Sequence, residues 1–461
     1  MLMSIVVPRA KSASVNPLKQ SAPLGAAMAY LGVEGAVPLF HGSQGCTAFA
    51  LVAMVRHFKE TIPIQTTAMN EVSTILGGAD HLEEALLNLK TRMKPKLIGI
   101  ASTALTETRG EDMAGEVGEI LRRRAADLDG TTVVFASTPD FTGALEEGWA
   151  AATSAVIAAL VPEGDAAGRD PTAVNILAGQ HLTPGDVEAL RDLAESFGLV
   201  PTILPDISLS LDGTVPDAWV PTSYGGTSRA AIAGMGRAAV TLAIGEHMAA
   251  PGRLLERRTG VPCRVLPAVT GLEDCDRLVV ALAELSGRPV PERLKRERSR
   301  LVDAMLDGHL IVGGRAAVVA AEPDLLYAVT RLIAELGGRI VGAVTTAVGS
   351  RALERIPAAD VLIGDLGDLE RLAAEHGADL IATHSHGRRA AERLHRPHLR
   401  IGFPIFDRLG AQHRVSVGYA GTRDLIFEIA NLLQSGDHAP TPADLDPFRD
   451  RAADAPTPRS H

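Results

Sequence analysis

The segment HGSQGC, His41 to Cys46, presents one thiol in a chain of 461 residues that has three cysteines. Gly42 and Gly45 bracket Ser43 and Gln44, so the chain turns sharply between the apolar run VEGAVPLF and the helical pattern TAFALVAMVRHF. A thiolate near a helix N-terminus meets the positive end of the helix dipole, which makes it a better ligand or nucleophile. A nucleophile would need a histidine and an acid brought alongside, and a lone cysteine also serves as plain packing. Cys263 and Cys275 lack the short C-x-x-C spacing that zinc and iron–sulfur sites draw on, and read as small, semi-buried residues.

The other clusters that could do chemistry have plainer readings. The histidines of THSHGRRAAERLHRPH (His384, His386, His395, His398) have no H-E-x-x-H spacing and are mixed with arginines that repel a cation, which reads as a polar loop and helix face. The glycines of GRAAVVAAEPD and GGTSRAAIAGMGR keep neither G-x-G-x-x-G after a strand nor a Walker lysine, so turns and close packing account for them.

The elements that must position Cys46 follow from an alternation of short β-branched runs with amphipathic helical patterns, the signature of an α/β fold with parallel sheets. Strands are predicted at KLIGIAST, TTVVFAST, AVNILAG, RAAVVAA, GRIVGAVTT, DVLIGD and ADLIATH, with helices such as TPGDVEALRDLAESFG and EPDLLYAVTRLIAELGG between them. Boundaries rich in Gly, Pro and charge divide the chain into 1–165, 166–295 and 296–437, leaving a tail, 438–461, with no apolar periodicity and therefore read as flexible.

A net charge of −10 argues against a nucleic-acid partner. The basic run RPVPERLKRERSR alternates acids with bases, as a solvated helix face does. No signal-peptide pattern opens the chain, and its longest apolar run, WAAATSAVIAALV, falls short of the ~20 residues that span a bilayer. Together with the odd cysteine count, these features place the protein in the reducing cytoplasm, away from membranes.

Four segments, in this order, resemble the β-type subunits of the nitrogenase component 1 family. They are NPLKQSAPLGAAMAYLGVEGAVPLFHGSQGC (Asn16 to Cys46), HFKETIPIQTTAMNEVSTILGG (His57 to Gly78), VVFASTPDFTGALEEGW (Val133 to Trp149) and LRIGFPIFDRLGAQHRVSVGYAG (Leu399 to Gly421). The resemblance covers nearly the whole chain before the tail and implies three αβα domains, each a parallel sheet with helices on both faces. In the catalytic β subunit of that family, three cysteines hold half of an eight-iron cluster. Here Cys46 is kept, while the other two positions fall on Ser21 and at about Ala104.

That departure is similar to the N-type subunit of the scaffold on which the nitrogenase iron–molybdenum cofactor is matured. The resemblance then implies nitrogen fixation, an interface [4Fe–4S] cluster with one ligand, Cys46, from this chain and three from an E-type partner, and a heterotetramer of two subunits of each type. It further implies a cofactor precursor held mainly in the partner, encounters with the nitrogenase iron protein and an upstream cofactor maturase, and no catalytic residue in this chain. The alternatives are a catalytic molybdenum–iron β subunit and a stand-alone nucleotide-binding α/β oxidoreductase. The related dark-operative chlorophyllide-forming reductases share the fold, and GFPIFDR favours the nitrogenase branch.

Overall fold

The computed structural model describes residues 4–436 apart from 9–10, 12–13, 15, 71–73, 75–77, 111 and 165–167. The tail 438–461 lies outside the described residues. Among those described, three sheets form, and every strand pairing in them is parallel.

The first sheet runs Gln65–Thr66, Ala36–His41, Leu97–Ser102, Thr132–Ala136 in spatial order. Its two central strands are buried at every position, as strands covered on both faces must be. The second sheet runs Val200–Leu204, Asp170–Leu177, Ala238–Ile244, Cys263–Leu266. The third has six strands, in the order Ile5–Val7, Asp360–Ile363, Arg339–Thr345, Ala316–Ala320, Leu380–Thr383, His398–Arg400. All seven predicted strands are present. The α/β class with parallel sheets is the observed architecture.

The short apolar stretch at the N-terminus is a strand: Ile5 to Val7 pair with Asp360 to Leu362 at the far edge of the third sheet. The apolar run at Trp149 lies within a helix, Leu145–Leu160, that buries Trp149, Ala152, Val156 and Ile157. No helix among the described residues is long and apolar enough to cross a membrane. The basic run opens the helix Glu292–Val312, where Arg293 pairs with Glu297 at 2.9 Å and Lys295 with Glu292 at 2.6 Å on an exposed face.

One apolar core continues from the first sheet through the second to the third. The helix Ala22–Leu31 is buried along all ten residues and crosses Leu145–Leu160 so closely that a Cβ on Gly25 would lie 2.0 Å from the Leu145 carbonyl oxygen. Glycine is required there because two backbones touch. Trp149 Nε1 donates to the Ala178 carbonyl at 2.9 Å, tying this helix pair to the second sheet.

Candidate metal centre at the edge of the first sheet

Cys46 is built from the C-terminal end of the strand Ala36–His41. His41 stands opposite Ser102 on the neighbouring strand, so the loops that follow the two strands leave the sheet side by side. The His41 carbonyl accepts hydrogen bonds from Thr103 Oγ1 at 3.0 Å and Thr106 Oγ1 at 3.3 Å. Its imidazole is fully buried, with Nδ1 3.1 Å from Thr67 Oγ1, and burial pushes it down to about 4. His41 is therefore a neutral structural post. It is no partner for a thiolate.

Gly42 then carries the chain past Thr103, whose Oγ1 would lie 2.2 Å from any Cβ at that position. The Gly42 N–H donates to Thr67 Oγ1 at 3.1 Å, and its carbonyl accepts from the Met69 N–H at 2.9 Å, which fixes the turn from both sides. Ser43 is the extended residue before the helix Gln44–Phe58, and its hydroxyl makes no capping bond. It lies 3.7 Å from Cys46 Sγ instead. Cys46 sits in the first turn of the helix and is exposed. Along the same helix Phe49 is 82% exposed and Val52 55% exposed, so apolar surface surrounds the thiol.

The two positions compared with Cys46 lie at this same sheet edge. Ala104 is half-buried and opens the one-turn helix Ala104–Glu107 directly after Leu97–Ser102. Ser21 caps the helix Ala22–Leu31 by accepting from the Leu24 N–H at 3.3 Å. The next residue, Ala22, donates to Asp140 Oδ1 at 2.9 Å, in the loop after the strand Thr132–Ala136. The edge thus brings one thiol, one hydroxyl in use as a cap, and one methyl to the C-terminal ends of parallel strands, where open α/β sheets place their ligands.

The other thiols are elsewhere and differ in kind. Cys275 is fully buried, 3.4 Å from the Val269 carbonyl oxygen and 3.5 Å from Thr422 Oγ1, and burial pushes its thiol up to about 12. Cys263 is half-buried, with burial pushing it up to about 11. The glycine turn at Gly225 and Gly226 is one of close packing, since a Cβ on Gly225 would meet the Leu209 carbonyl oxygen at 2.6 Å.

The histidine run departs from a surface reading. His384 and His398 are buried, with their Nε2 atoms 3.2 Å from the Leu18 carbonyl oxygen and 3.1 Å from that of Thr383, while His386 and His395 are exposed. Ring nitrogens that satisfy backbone carbonyls let these two imidazoles sit in the core. Sequence reasoning also missed a set of two buried carboxylates and two half-buried imidazoles, Glu146, Asp324, His181 and His247, whose members share no motif.

The model of the family described as nitrogenase component 1 type oxidoreductase matches residues 21–434. The chain belongs to the nitrogenase component 1 family. Nitrogenase iron-molybdenum cofactor biosynthesis protein NifN of Mesorhizobium japonicum is 58% identical, over 97% of this chain and 96% of that protein. The protein of the same name in Sinorhizobium fredii is 55% identical over 96% and 98%, and that in Klebsiella pneumoniae 40% identical over 93% of each. Among solved structures, a chain of "Nitrogenase Cp1 at pH 6.5" superposes with a TM-score of 0.88 at 27% identity, covering 93% of this chain and 95% of that one. The resemblance read from the four motifs is borne out, as is the fold it implied.

Proposed function

We propose that this nitrogenase component 1 family chain is the N-type subunit of the scaffold on which the nitrogenase iron–molybdenum cofactor is assembled and matured. Cys46 is its single ligand to a [4Fe–4S] cluster completed by three cysteines of an E-type partner, and the working complex is a cytoplasmic heterotetramer. The observation that carries this reading is the contrast at the sheet edge: an exposed thiol on a helix N-terminus beside a Ser21 engaged in capping and an Ala104 with no donor atom. The residues fit a quarter share of a cubane, because such a cluster takes four thiolates and this edge supplies one. The apolar surface around Cys46 is of the kind that a protein interface covers.

When bound, the cluster would supply one-electron redox chemistry at the interface. This chain's own part is to hold one iron and to keep the sulfur fixed on a turn pinned by Thr67 and Thr103. No residue of the site is assigned to catalysis. The cofactor precursor is held mainly by the partner subunit, and the nitrogenase iron protein and an upstream maturase deliver to the assembled complex. Three domains, 1–165, 166–295 and 296–437, give the scaffold its shape.

The test is iron counting. Purified anaerobically alone, the chain should be folded and retain no stable cluster. Co-expressed with its E-type partner, it should yield a complex with a four-iron cluster at each interface, visible by low-temperature EPR when reduced. An eight-iron cluster in that position would point to the catalytic β-subunit reading, and a stable stoichiometric cubane on the isolated chain would overturn the intersubunit one.

A further inference from the structure

Away from Cys46, four titratable side chains from separate segments converge. Glu146 lies on the helix Leu145–Leu160, His181 follows the strand Asp170–Leu177, His247 follows Ala238–Ile244, and Asp324 opens the helix Pro323–Glu335. One ligand atom from each lies within 4.8 Å of all the others. The first sheet's layer supplies one, the second's two and the third's one, so the cluster sits where the three units meet.

The groups are not all spoken for. The Gln180 N–H donates to His247 Nε2 at 3.1 Å, which leaves the ring proton of neutral His247 on Nδ1, facing Asp324 Oδ2. The His247 N–H donates to the same oxygen at 3.1 Å. Glu146 Oε1 accepts from the Asp324 N–H at 3.0 Å, and Glu146 Oε2 lies 3.8 Å from His247 Nδ1. Asp324 is 0% exposed, yet its Oδ1 has no hydrogen-bond partner, and neither has the buried His181 Nδ1. A buried carboxylate oxygen and a buried ring nitrogen left without partners in one cluster are costly unless something binds there.

Gly245, at φ +94°, lets the backbone pass against the cluster, since a Cβ there would fall 2.6 Å from Asp324 Oδ2 and 3.1 Å from His181 Cε1. A cleft from outside reaches two of the four. A cleft of about 570 Å³ is lined by Glu146 and His247, together with Glu147, Glu246, Arg253 and Arg351.

We propose that this junction binds one divalent transition-metal ion through His181, Glu146 and Asp324, with His247 holding Asp324 in position. Imidazole and carboxylate donors together suit zinc, iron(II) and manganese(II). A dication would neutralise the two carboxylates at once, whereas without it burial and the neighbouring Asp324 push the Glu146 carboxyl well up. The ion would clasp the three sheets' layers together at a point remote in sequence from Cys46.

The experiment uses the full chain carrying Cys46→Ala, stripped with a chelator and titrated anaerobically with cobalt(II), then with zinc(II). One equivalent of cobalt should bind, with ligand-field absorption of nitrogen and oxygen ligation and no thiolate charge transfer, and zinc should displace it. His181→Ala should abolish stoichiometric binding, and His247→Gln should weaken it about 10–100-fold as an outer-shell change does. Circular dichroism reports folding of each variant, and Glu146→Gln, which preserves volume, decides if His181→Ala does not fold. No stoichiometric binding to the folded chain, or binding unchanged in the folded variants, would overturn the proposal in favour of a metal-free network sharing one proton.

Discussion

Cys46→Ala and Cys275→Ala should separate stability from cluster binding in opposite directions. Cys46 is exposed, and its hydrogen-bonding contact is with Ser43 Oγ at 3.7 Å, so removing the sulfur leaves no cavity. Its effect on folding should stay within about 0.5 kcal/mol, the range of ordinary surface substitutions. Cys275 is 0% exposed, and its sulfur lies between the Val269 carbonyl and Thr422 Oγ1, a hydroxyl that also accepts from the Gly271 N–H at 3.1 Å. Losing it costs the transfer of a group at least as large as a methylene plus the void left behind, about 1–2 kcal/mol.

The assay pairs urea denaturation of each isolated chain with iron content and reduced-state EPR of each complex with the E-type partner. In a chain with three sheets the first transition midpoint is the quantity to compare, because unfolding need not be two-state. Cys46→Ala should match the wild-type midpoint and lose most of the interface iron. Cys275→Ala should unfold earlier and keep it. The reverse pattern, iron retained in Cys46→Ala and lost from a folded Cys275→Ala complex, would refute the assignment of the thiol.

Gly42→Ala places a Cβ 2.2 Å from Thr103 Oγ1 and should cost about 1–3 kcal/mol while displacing the turn that carries Cys46. Thermal denaturation and cluster half-life in the complex check it, and a variant unchanged in both would show that the turn is not held as described. Asp186→Asn leaves one carbonyl oxygen for Ser416 N–H (2.6 Å) and Val417 N–H (3.2 Å) but turns an NH2 toward the Thr183 N–H, which the carboxylate accepts at 3.0 Å. The clash of donors should cost about 1–3 kcal/mol and speed proteolysis at 414–417, and resistance equal to wild type would count against it.

His57 is buried, its Nδ1 accepts from the Ile405 N–H at 2.8 Å, and burial pushes it from 6.5 to about 4. Because the folded value is the lower one, its contribution, up to about 3 kcal/mol, is present above pH 6.5 and lost as pH falls toward 4. Histidine-selective NMR should find this ring neutral at pH 6; a midpoint near 6.5 would refute the burial argument.

What the sequence made legible follows from the range of the interactions involved. Leu97–Ser102 and Ala316–Ala320 announce themselves because a strand covered on both faces is a continuous apolar run. Ala238–Ile244 is buried at all positions except Ala239, but AAVTLAI is rich in alanine, and such a run does not declare its period. Val200–Leu204 hides behind Pro201, and Ile5–Val7 is a strand only because Asp360–Ile363 lies beside it. Cys46 was legible for a local reason, two glycines and a helix start within six residues. The set at Glu146, His181, His247 and Asp324 leaves no local trace, since each member lies near the start of a helix or in the loop after a strand and only the packing of three sheets makes them neighbours.

The same contrast bears on the proposal that the sheet edge around Cys46 acts as a metal site only together with another polypeptide. Several polar groups that could have served as a second donor are already used to hold the turn or a neighbouring helix. Thr103 and Thr106 donate to the His41 carbonyl, Thr67 accepts from Gly42, and Ser21 caps its helix. Taking Ser21 away from Leu24 to ligate iron would forfeit a cap worth about 1 kcal/mol. Ala104 could contribute only after mutation. What the edge exposes is a sulfur in the first turn of the helix Gln44–Phe58, with Phe49 and Val52 exposed farther along the same helix. A surface of that composition gains by being covered, and in the proposed complex covering it would bring the partner's ligands to Cys46.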